Sequence, residues 1–82
     1  MKKYAEDLAK DYDFDSNDKE QAKNDFYQYI VDVLINGSRS QCANLFNEMK
    51  DYSKLEFLNT FLRDDNSYHT SCRKLCICEL LK

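Results

Sequence analysis

Apolar residues along this chain recur mostly at intervals of three and four, the period of an α-helix. Between residues 2 and 12, Tyr4, Ala5, Leu8, Ala9 and Tyr12 follow an i, i+4, i+8 rhythm and predict a helix of about three turns. Residues 11–18 break the rhythm by alternating acids with aromatics, so a loop is expected there, with Asn17 or Asp18 capping the next helix. That helix spans residues 19–36. Ala22, Phe26, Tyr29, Ile30, Val33 and Leu34 cover one wide face, Tyr27, Val31 and Ile35 extend it, and Asp25, Gln28 and Asp32 form the polar strip. A helix apolar over more than half its circumference needs several neighbours to cover it. The β-branched Ile30, Val31 and Val33 would also suit a strand, but the long helical frame argues otherwise.

Gly37 is the single glycine and there is no proline, so the punctuation around it is informative. Gly37 can take the left-handed conformation that closes a helix, and Ser38 followed by Gln41 reads as a capping box opening the next. Cys42, Leu45, Phe46 and Met49 then form an amphipathic stripe. Ser53-x-x-Glu56 repeats the start signal before a shorter helix carrying Leu55, Leu58, Phe61 and Leu62, with Phe57 beside them. Asp64, Asp65, Asn66 and Ser67 make a polar turn able to cap a final helix, whose apolar face would hold Tyr68, Cys72, Leu75, Cys76 and Leu80. The expected fold is all-α: one domain over residues 1–82, a compact bundle of about five short helices joined by tight turns.

Composition supports a folded chain. Eighty-two residues with 43% hydrophobic content suffice for one core, near the lower size limit for a self-sufficient domain. Net charge is only −3, but residues 5–32 hold nine acids against three lysines. An acidic end repels nucleic-acid phosphate and attracts basic protein surface. The N-terminus meets acids at once and no apolar run exceeds four residues, so neither a signal peptide nor a membrane span is expected. A cytoplasmic location is expected, with Cys42, Cys72, Cys76 and Cys78 as free thiols and Cys78 the most exposed.

Four constellations could carry chemistry. Asp11, Asp13 and Asp15 occupy the first three ligand positions of a calcium-binding helix-loop-helix loop, but Ser16 and Ala22 replace its glycine and its bidentate glutamate, so a solvated acidic loop is expected. His69, Cys72 and Cys76 lie at i, i+3 and i+7 with Cys42 available as a fourth ligand, yet the Cys-x-x-Cys knuckle of structural zinc is missing. Packed free cysteines, with no metal and no cofactor, are the expected reading. A Cys-His nucleophile pair lacks any orienting group or oxyanion site, so the chain reads as non-enzymatic. Finally, Val33-x3-Gly37-x5-Ala43 with Arg39, Ser40 and Gln41 opening the next helix resembles a helix-turn-helix, in which those three residues would read base edges. Arg39 is the one cation in that turn, and direct nucleic-acid binding is therefore not the first expectation.

The stretches 36–41, Leu45-Phe46-Asn47-Glu48-Met49 and Ser67-Tyr68-His69-Thr70, with heavy use of Asn, Asp, Lys and Tyr, resemble small uncharacterised helical proteins of bacteriophages and mobile elements. That resemblance implies action on a host factor, as with anti-CRISPR and other anti-defence inhibitors. The expected function is a non-enzymatic module whose acidic surface binds a basic, nucleic-acid-binding host protein. Its contacts would be Asp11, Tyr12, Asp13, Phe14, Asp15, Asp18 and Asp25, with Tyr27 as a further aromatic contact. The alternatives are a small helix-turn-helix regulator and a homodimer burying the apolar surplus of the central helix.

Overall fold

A computed structural model describes residues 2–14, 17–63 and 66–81. Five helices succeed one another in chain order: α1 (Ala5–Asp11), α2 (Lys19–Ile35), α3 (Arg39–Glu48), α4 (Asp51–Asn59) and α5 (Ser67–Leu80), with one turn of 3-10 helix at Phe61–Arg63 between the last two. The all-α expectation holds, and no strand occurs among the described residues. Helix α2 is the hub, packing against α1, α3 and α5. Its buried side chains are Ala22, Lys23, Phe26, Tyr27, Ile30, Val31 and Val33. The apolar surplus that suggested a homodimer is thus largely covered within one chain, with Ile35 left 46% exposed. The Cα radius of gyration is 11.6 Å, matching the roughly 11.7 Å of a compact chain this long.

Gly37 ends α2 with φ 90°. Its N–H donates to the carbonyl of Leu34 at 2.9 Å and that of Ser38 to the carbonyl of Val33 at 3.1 Å, the bond pair of a Schellman motif. This occupies the very N–H that Gln41 would accept from in a capping box. Gln41 accordingly donates its amide to the Tyr29 hydroxyl at 3.2 Å, and Ser38 makes no side-chain cap. Asp18 and Asn66 do cap, accepting from Glu20 N–H at 3.0 Å and Tyr68 N–H at 2.8 Å.

The N-terminal segment differs from its periodicity. Residues 2–4 precede the helix, and Lys3 pairs in parallel with Met49, its N–H donating to Glu48 and its carbonyl accepting from Lys50 N–H. Tyr4 packs edge-on against Tyr52 and lies under the Lys50 ammonium, 4.3 Å from the ring centre. Ala5 and Ala9, both fully buried, let α1 approach its neighbours closely.

Ser53 does not begin a helix. Helix α4 starts at Asp51 after Lys50, and Ser53 lies inside it, 1% exposed, accepting from Ala5 N–H at 3.0 Å. The serine therefore caps α1 across the fold. That register buries Lys54, Phe57 and Leu58 and turns Leu55 to solvent, whereas Phe61 and Leu62 belong to the 3-10 turn. On α5 only Cys72 and Cys76 are buried, Leu75 is partly so, and Tyr68 and Leu80, expected on the apolar face, are exposed.

Candidate functional site

Two groups of residues stand out, an acidic strip along α2 and a thiol cluster between α3 and α5. The strip arises because α2 turns its apolar faces to its neighbours, leaving Gln21, Asp25, Gln28 and Asp32 in line on the outside. Gln21 donates its amide to Asp25 and Gln28 donates to Asp32, each at 2.9 Å. A neutral amide fixes a carboxylate without cancelling its charge. Among the described residues neither Asp25 nor Asp32 is ion-paired.

The other expected contact residues have varied settings. Asp11 is ion-paired with Lys3 at 2.7 Å, and this hydrogen bond and charge raise the lysine's pKa. Asp13 takes a positive φ of 64° and Asp18 serves as the α2 cap. Asp15 lies outside the described residues, as do Ser16, Asp64 and Asp65. Tyr12 lays its ring against Phe26 and Tyr29 and donates its hydroxyl to Glu48 at 2.9 Å; burial first, then that carboxylate, pushes its pKa up to about 12. Phe14 is half-buried against Phe26 and Tyr29. These two aromatics brace the loop against α2.

Tyr27 is only 1% exposed, which corrects its assignment as a surface contact. Its hydroxyl donates to Glu56 at 2.8 Å, and the same carboxylate receives the Lys23 ammonium at 2.9 Å; Lys23 also reaches Glu20 at 3.0 Å. Burial opposes charge on both Lys23 and Glu56, but the pairing outweighs it. The lysine's pKa is raised and the glutamate's lowered, while burial and Glu56 together push Tyr27 far up. No sequence signal marks this link, because Lys23 falls in a helical stretch whose spacing alone would put it among solvated charges. The long apolar stem of lysine makes its burial feasible.

Arg39, Ser40 and Gln41 open α3, exposed as a recognition helix requires, though Gln41 is tied to Tyr29. Arg39 borders an open groove of about 720 Å³ between the end of α2 and α5, with Ile35, Tyr68, Lys74 and the exposed Cys78 on its walls.

Cys42, Cys72 and Cys76 converge. Each is fully buried, none is in a disulfide, and their sulfurs all lie within 4.8 Å of one another. The i, i+4 spacing puts Cys72 and Cys76 on one face of α5, and the packing of α3 on α5 brings Cys42 to them. His69, a candidate ligand beside Cys72 and Cys76 in the sequence, is not in the group; its ring packs on Phe61 at 5.4 Å. Hydrogen bonds from Cys72 and Cys76 lower the pKa of Cys42. The partnership with Cys42 raises the pKa of both Cys72 and Cys76.

Compared with known protein families, with curated proteins and with solved structures, the chain has no match.

Proposed function

We propose that the chain is a non-enzymatic protein-binding module that docks the acidic outer strip of α2 on a basic surface of another protein, competing there with nucleic acid. The supporting observation is the pair of Gln–Asp contacts, Gln21 to Asp25 and Gln28 to Asp32, which order two carboxylates while leaving their charge for a partner. Lys23, which could have neutralised this helix, is drawn to the other side by Glu20 and Glu56. The strip sits on the helix that buries the most side chains, so its geometry is set before binding, which lowers the ordering cost of association. A phage-encoded inhibitor of a host nucleic-acid-binding protein is the setting that suits this chemistry, and no membrane enters the reading. No helix among the described residues is long and apolar enough to cross one.

The test is affinity capture from a lysate of the native host with the wild type, an Asp25→Asn/Asp32→Asn double variant and an Asp25→Glu/Asp32→Glu control. A captured protein is then purified and titrated at low and high salt. Loss of two surface charge contacts should weaken that complex about 2- to 30-fold. The glutamate control should retain it, and salt should erase the difference. Equal affinity of the asparagine variant would reject the acidic strip as the binding surface.

A further inference from the structure

We propose that Cys42, Cys72 and Cys76 form a three-sulfur binding site for a soft, thiophilic ion, with Cu(I) the ion it would take in a cell. Three observations converge on it. The sulfurs lie within 4.8 Å of one another. A trigonal ion with metal–sulfur bonds of about 2.3 Å sets its sulfurs about 4.0 Å apart, so a shift of under about 1 Å closes the ring. The three thiols come from two helices, so an ion would cross-link α3 to α5, which a pair on a single helix could not do.

The second observation is what the thiols replace. In α5 the only buried side chains are Cys72 and Cys76, at the positions where a helix of fourteen residues would gain most from leucine or phenylalanine. Cysteine is smaller than either and contributes less apolar area. Three of them meeting at one contact give up packing, and ligation is the chemistry that three adjacent sulfurs add.

The third observation separates Cu(I) from zinc. Zinc in structural sites takes four ligands, and among the described residues no fourth histidine, cysteine or carboxylate joins the group. All three residues are fully buried, so water does not reach the site to complete a tetrahedron. Cu(I) prefers soft sulfur and is satisfied by two or three of them. On entry, two S–H bonds break and two Cu–S bonds replace them, their protons leaving to solvent, while the third sulfur donates a lone pair. The resulting complex has net charge −1. Cys42 lies in the first turn of α3, the end at which the helix dipole favours negative charge, and Arg39 lies one turn before it.

The experiment is an anaerobic titration of the reduced full-length chain with Cu(I) against a chromophoric Cu(I) chelator, followed by X-ray absorption at the copper edge. One ion per chain and a first shell of three sulfurs are expected. Cys42→Ser, Cys72→Ser and Cys76→Ser should each weaken retention about tenfold or more, whereas Cys78→Ser should not change it. The wild-type absorption spectrum decides even where a serine variant fails to fold. A shell containing oxygen or nitrogen, a shell of two sulfurs, or binding that disappears with Cys78 would overturn the site. So would a reduced wild-type chain that leaves all copper on the chelator, or one that takes up Zn²⁺ in preference to Cu(I).

Discussion

Replacing Ser53 by alanine tests the least expected contact of the fold. The Ser53 hydroxyl accepts from Ala5 N–H at 3.0 Å, where both residues are buried. Ala5 is the first residue of α1, and the preceding Tyr4 supplies no side-chain cap. Alanine leaves that amide without a partner and without water, and an orphaned buried N–H costs about 1–3 kcal/mol. A missing helix cap is worth about 1 kcal/mol on its own. The two describe one lost bond, so they do not add, and about 2 kcal/mol is expected. For a domain of this size that lowers Tm by about 8–16 °C.

The location of the damage discriminates better than its size. Were Ser53 a cap of α4, its loss would fray α4. The cross-chain bond instead predicts that α1 loosens, because seven residues are too few to stay helical alone. Hydrogen exchange of Ser53→Ala should show the Ala5 amide losing most of its protection. Amides at the start of α4 should change no more than the global stability does. Unchanged protection at Ala5, or fraying confined to α4, would refute the reasoning.

Gly37→Ala meets no atom within 4 Å of the added methyl, so its whole cost is backbone strain at φ 90°. That is about 1–2 kcal/mol by urea unfolding, and Gly37→Asn should recover part of it; a larger loss would mean hidden crowding. Glu56→Gln removes the anion that pairs Lys23 and accepts from Tyr27, for a loss of about 1.5–3 kcal/mol at neutral pH. The glutamate's pKa is lowered in the fold, so its contribution is complete above the ordinary 4.5 and fades as pH falls through the folded value. Wild type and variant should therefore converge in acid, and a pH-independent gap between their unfolding free energies would contradict the assignment.

Much of this fold is legible in the sequence because helical period and terminal chemistry are local. The α2 stripe, the Gly37 stop, and the Asp18 and Asn66 caps each depend on residues within one turn. Ser53-x-x-Glu56 misleads because a serine hydroxyl accepts from whichever amide comes near, and here the near amide belongs to Ala5. Ser38-x-x-Gln41 misleads for the opposite reason: the amide it needs is already bonded to Val33. For the thiols, the pairing of Cys72 with Cys76 is written in their spacing. The arrival of Cys42 and the departure of His69 are set by how α3 and the 3-10 turn pack on α5, which spacing does not encode. The acidic strip is similar, since sequence counts carboxylates but cannot tell Asp11, neutralised by Lys3, from Asp32, held by an amide.

The same packing separates the two sites. Helix α2 buries seven side chains, including Phe26, Tyr27 and Ile30, and so presents Asp25 and Asp32 from a rigid frame. Helix α5 buries two of its fourteen, aided by Leu75, by His69 against Phe61 and by an Asn47–Glu79 hydrogen bond. Sparse burial should let α5 open at lower free energy than α2. An ion joining Cys42 to Cys72 and Cys76 would add its hold where apolar contact is thinnest, and would do little to α2. Copper should accordingly slow hydrogen exchange along α5 far more than along α2, and leave affinity for the proposed basic partner unchanged. Equal protection of both helices would mean that the thiol cluster is not the place where the ion acts.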